Sequence, residues 1–124
     1  MFHLNLLAGW IGIVGGVLAG AGIGLFFGNE DWLGGYGSWT RRMLRLGHIS
    51  FFGMGFLNIL FDLTTRNINP ANLWPSYLMV AGLAGMPAVC YAAAFYKKAK
   101  GLFPLPVFCV LAASLYVVFK LAGV

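Results

Sequence analysis

"GIVGGVLAGAGIGLFFG", residues 12–28, sets a glycine at every fourth position: Gly12, Gly16, Gly20, Gly24 and Gly28. A glycine inside a helix costs about 1 kcal/mol relative to alanine in water, so a helix that keeps five in register gains something from the missing side chains. Positions four apart drift by only about 40° per step, and the five therefore form one slowly winding groove. The surrounding residues are apolar, and the run from Leu4 to Phe27 is long enough to cross a hydrocarbon core of about 30 Å. In lipid no hydrophobic drive pulls helices together, and faces of small residues supply close backbone packing instead. The groove has two readings: a helix-helix seam, within the bundle or between subunits, or a smooth wall for a flat cofactor ring. The pattern alone leaves both open.

Working outward, the 124 residues are 60% hydrophobic and 9% charged, too apolar for a soluble domain of this size. Three further stretches reach spanning length, Met43 to Leu63, Leu73 to Tyr96 and Leu102 to Ala122, and little chain is left outside them. The expected fold is all-α, an integral membrane four-helix bundle, with residues 1–124 forming a single transmembrane domain whose first partner is the lipid bilayer. The net charge of +5 does not point to nucleic acid, because the basic residues stand at helix ends. Arg41, Arg42 and Arg45 lie at the first connection and Lys97, Lys98 and Lys100 at the third, against Arg66 and Lys120 on the opposite side. Positive charge favours the cytoplasm, so connections 1-2 and 3-4 are expected there, with both termini outside, in a bacterial-type inner (plasma) membrane.

The start of the chain has no basic region of a secretory signal, and its apolar run is longer than a signal core, so the first helix reads as permanent. The connection "GNEDWLGGYGSW" reads as a mobile loop seated at the interface, and "TTRNINPAN" as a capped turn. Cys90 and Cys109 fall within expected helices and give no disulfide framework.

The second helix carries the chemistry-bearing residues: His48, Ser50, Asn58 and Asp62 in apolar surroundings. Ionisable groups inside membrane helices face a bundle interior, a partner or a cavity. At 100° per residue, Arg41, Arg45, His48, Gly55 and Asp62 share one face. That face suits haem b: His48 would ligate the iron, Arg45 and Arg41 would take the propionates, and Gly53 and Gly55 would make room for the ring. The alternative is that His48 hydrogen-bonds a neighbouring helix and the arginines record topology alone.

"RLGHISFFGMGFLN", residues 45–58, resembles the second helix of haem-copper oxidase catalytic subunits, in the cbb3 and nitric oxide reductase branch. There an arginine precedes a haem-ligating histidine by three residues, the positions of Arg45 and His48 here. The resemblance implies a low-spin haem b ligand at His48 and a propionate partner at Arg45. The family's further histidines have no counterparts in this chain, so reduction of oxygen or nitric oxide by it alone is not expected.

A second axial ligand is harder to place. His3 is expected at the opposite membrane surface, on the order of 20 Å from His48. Either the haem is five-coordinate, or Met86 or His48 of a second copy supplies the ligand, and a twofold homodimer or higher homo-oligomer would also give the glycine groove a partner. A soft-metal cluster of His48, Cys90 and Cys109 is a further reading, against the ordinary role of buried cysteine as a small hydrophobe. Asp62 is expected to pair with Arg66 one turn on or to cap the turn, with a proton-binding role as the alternative, and Asn58, one turn before, is a hydrogen-bond partner. Pro75 suits a helix start, Pro87 an interior kink, and Ser114 and Tyr116 mark no site.

Three function classes follow. One is a haem-binding electron carrier or redox sensor, serving a respiratory complex or another redox partner. Another is a cofactor-free accessory subunit that packs a larger membrane complex. A small transporter is a third class, although the first helix lacks the carboxylate that small multidrug exporters use there. No nucleophile, catalytic triad or phosphate loop is present, and no catalytic activity is expected of the chain alone.

Overall fold

The computed structural model describes residues 3–68 and 73–123. They form four helices, α1 (Leu4–Leu25), α2 (Trp39–Thr65), α3 (Trp74–Phe95) and α4 (Pro104–Leu121), with short 3-10 turns at Trp32–Gly34 and Lys97–Leu102. All four are long and apolar enough to cross a membrane, α4 together with the turn before it. The expected turn at residues 64–72 falls partly on residues 69–72, outside the described ones.

α2 begins four residues before the expected Met43. Ser38 caps it, its side chain accepting the Arg41 backbone N–H at 3.2 Å. An N-cap hydroxyl satisfies one of the donors a helix start leaves free. Its effect is to pull Arg41 and Arg42 out of the connection and into the first turn. At 1.5 Å per residue the 27 residues of α2 extend about 40 Å, so the helix outruns a hydrocarbon core and carries its arginines at the mouth. α3 opens on Pro75, where the missing N–H costs nothing. It is assigned as one helix through Pro87, where a kink was expected.

α2 is the centre of the assembly, packed against α1 on one side and α3 on the other. α1 also touches α3, and α4 packs along α3. The core lies on the α2–α3–α4 side, where Met54, Phe61, Met79, Leu83 and Ala113 are buried together with Met86 and Val110 against them. α1 and α4 turn most of their apolar side chains outward, Leu18 and Phe108 among them.

The two ends of the bundle differ. At the basic end, the Trp39 indole N–H donates to Ala93 O at 2.7 Å and the Thr40 hydroxyl to Ala94 O at 2.9 Å. These bonds fasten the start of α2 to the end of α3, where the last carbonyls of a helix need donors. At the other end stand His3, Asp62 and Arg66.

Candidate functional site

Of the face of α2 singled out in the sequence, the middle, at His48 and Gly55, lies against α1, while Arg41 and Arg45 meet the first connection and Asp62 meets His3. The α1–α2 approach is closest where Gly9 meets Gly55. A Cβ added to Gly9 would stand 2.6 Å from the Gly55 carbonyl oxygen, and one on Gly55 would stand 2.9 Å from that of Gly9. Further along, a Cβ at Gly16 would meet the Phe52 ring at 2.9 Å, and one at Gly20 would run into the His48 imidazole. Gly12 lies where three helices meet, against the Leu83 side chain and the Phe51 carbonyl. Three of the five glycines in the groove thus admit neighbours from the same chain. Gly24 and Gly28 have nothing of the chain within 4 Å of an added Cβ, and Gly28 lies beyond the end of α1.

His48 lies with its ring edge against Gly20 and at 82° to the Phe52 ring, centroids 5.3 Å apart. Its Nδ1 is buried with no hydrogen-bond partner, as is the Tyr91 hydroxyl. The arginines are engaged. Arg41 is only 3% exposed, and its guanidinium sits within 5.5–5.8 Å of the centroids of Phe27, Trp32 and Tyr36. It also donates to Asn29 O at 3.4 Å. Cation-π contacts gain strength when desolvated, which makes Arg41 the post around which the first connection folds. That connection folds back over Arg41 while most of its own residues stay exposed. Its tight reversal uses positive φ at Leu33, Gly34 and Gly35 (52°, 89° and 97°), and the two glycines supply that backbone without strain. Arg45 donates to Tyr36 O at 2.9 Å and lies 4.0 Å from the Tyr36 ring centroid.

Asp62, at the opposite end, is paired as expected with Arg66, whose Nη2 and Nε lie 2.8 and 2.9 Å from one carboxylate oxygen. His3 completes the cluster, with Nδ1 3.5 Å from the same oxygen. Asn58 turns away from Asp62, into the centre. Fully buried, it accepts from the Asn5 amide at 2.9 Å and donates to Met54 O and Met79 O at 2.9 and 3.1 Å. Asn5 also donates to Ser76 O at 3.1 Å. The two amides join α1, α2 and α3 at one point.

Sequence reasoning missed Asn5 and Gly9. An amide in the first turn of an apolar span was the signal for one. The seven-residue step from Gly9 to Gly16, which keeps one face of a helix, was the signal for the other. It also missed the rings around Arg41, for which a tripled aromatic loop beside an arginine pair was the only pointer.

The residues named for haem do not fit that group as they stand. The space beside the Cε1–Nε2 edge of His48 is occupied by α1 at Gly20, and the two cations meant for propionates serve the first connection. Met86 packs against the α2–α3–α4 core. Gly55 admits α1, while Gly53 faces open space. Among the described residues, no group of three or more His, Cys, Asp or Glu is placed to hold a metal ion, so His48, Cys90 and Cys109 are not gathered into one. Ser50 is satisfied within its own helix, donating to Gly47 O at 2.8 Å. A groove of about 160 Å³ opens between α2, α3 and α4 over Phe61 and Met79, with Thr64 and Ser114 as its hydroxyls.

The fold and site thus define an all-helical chain with four membrane-length helices, whose central polar residues bind helix to helix. No protein-family model, curated protein or solved structure matches the chain, and nothing in those comparisons links it to the haem-copper oxidases.

Proposed function

We propose that the protein is a membrane-embedded packing subunit, which acts by assembling with other membrane-spanning chains, copies of itself included, and needs no cofactor to fold. The observation that carries this reading is that residues 3–36 engage the polar face of α2, His3 at Asp62, α1 at Gly55 and His48, and the first connection at Arg41. Asp62, Asn58 and Arg41 are each engaged by groups of the same chain. Buried polar side chains in membrane bundles join helices through hydrogen bonds of about 0.6 kcal/mol on average, and up to about 2 kcal/mol.

The test separates assembly within the chain from assembly between chains. Gly16 and Gly20 touch Phe52 and His48, so substitutions there act on the fold itself, whereas Gly24 faces open space. Gly24→Leu should leave thermal unfolding in detergent unchanged while reducing the native mass from a discrete multiple to a single 13.4 kDa chain. A wild-type protein that is a single chain in mild detergent, and in native membranes crosslinks to no other chain, contradicts the proposal. Haem b on His48 is the competing reading: the other role open to His48, a hydrogen bond from its Nδ1 to a neighbouring helix, is not made among the described residues.

A further inference from the structure

The basic end of the bundle holds a group of charges that the packing role does not use. Arg42 from α2 and Lys97 and Lys100 from the turn before α4 all approach one indole. The Arg42 Cζ lies 5.9 Å from the Trp39 ring, the Lys97 Nζ 5.4 Å and the Lys100 Nζ 6.0 Å. The ring is a fixed platform, because its N–H is tied to Ala93 O and the neighbouring Thr40 is tied to Ala94 O. All three cations are exposed, and the side-chain ion pairs found among the described residues lie at Asp62, at the other end. Three like charges gathered on one ring without a carboxylate repel one another, and an anion placed among them relieves that repulsion.

We propose that Trp39, Arg42, Lys97 and Lys100 form a site for the headgroup phosphate of an anionic phospholipid. The commitment to lipid rests on what adjoins the charges. Leu102 and Leu105 are exposed just beyond Lys100, and the exposed Phe95 and Tyr96 flank the cluster on the α3 side, so acyl chains have an apolar wall where the phosphate has its cations. Tryptophan at the level of the headgroups suits such a place, and basic clusters between membrane helices hold anionic headgroups. The inference takes from the proposed function only that the helices lie in a bilayer.

Native mass spectrometry of the full chain in detergent, titrated with phosphatidylglycerol or phosphatidylcholine, tests it. Phosphatidylglycerol should bind with a stoichiometry of one at low concentration and phosphatidylcholine should not. Arg42→Gln, Lys97→Gln and Lys100→Gln should each weaken binding roughly fivefold. Lys98→Gln, at the same end but outside the three, should change it less than about twofold, and Lys120→Gln not at all. Equal losses from Lys98→Gln and Lys97→Gln would show diffuse attraction and overturn the site. So would equal binding of the two lipids. Inorganic phosphate that saturates the site at millimolar concentration and prevents lipid binding would overturn the assignment to a lipid. The three variants alter exposed side chains, so loss of binding is separable from loss of fold by their unchanged unfolding temperature.

Discussion

Asn58→Leu is expected to lower the stability of the protein by about 2 kcal/mol, read as unfolding in detergent by heat or denaturant. Leucine keeps the branched shape of asparagine and is larger, so no cavity forms, and the loss reports the polar contacts together with a smaller overpacking cost. Asn58 joins α2 to Asn5 of α1 and to the Met79 carbonyl of α3, and leucine removes both ties at once. It also leaves the Asn5 amide facing a methyl group in a dry interior, where an unsatisfied donor costs about 1–3 kcal/mol. The Ser76 carbonyl that Asn5 also reaches limits that penalty. Asn5→Leu in the same background should cost less than it does alone, because the partner is already gone. Additive losses would mean that the two amides act independently and that the three-helix junction is not the unit described.

Gly55→Ala should be still more damaging, at about 3 kcal/mol or more. The methyl group would stand 2.9 Å from the Gly9 carbonyl oxygen, and backbone on both sides leaves no rotamer to yield. α1 and α2 must separate, and the contacts at Asn5 and His48 loosen with them. Gly53→Ala, two residues earlier in the same helix, makes the contrast. Nothing lies within 4 Å of its added Cβ, so the substitution should stabilise the protein by up to about 1 kcal/mol through helix propensity. Both glycines looked alike in the sequence, as room for a ring. If the two substitutions have equal effects, the close α1–α2 crossing is not present in the protein.

The pattern of the helices was legible because spanning length, apolar runs and terminal charge are local properties. Boundaries erred where a side chain set them: Ser38 moved the start of α2, which composition assigned to a basic connection. The helical wheel of α2 gathered Arg41, Arg45, His48, Gly55 and Asp62 correctly onto one face, since rotation per residue is fixed. What covers that face is decided between helices, and periodicity within one helix carries no information about it. The glycines at 12, 16 and 20 were the complementary half of the same contact, read on a separate helix. His3 and Asp62 show the same gap, because their pairing depends on α1 and α2 running antiparallel with their ends level. Arg41 was read as a charge waiting for an anion, whereas three rings of the preceding loop surround it.

The cover of α1 over His48 is tested most directly by the reduced-minus-oxidised optical spectrum of the purified protein, expressed with abundant haem, beside that of His48→Ala. The account predicts spectra without a Soret band in both, and a wild-type protein that unfolds cooperatively without added cofactor. A Soret band in the wild type that disappears in His48→Ala would contradict it, because iron would then hold the imidazole that is placed here against Gly20.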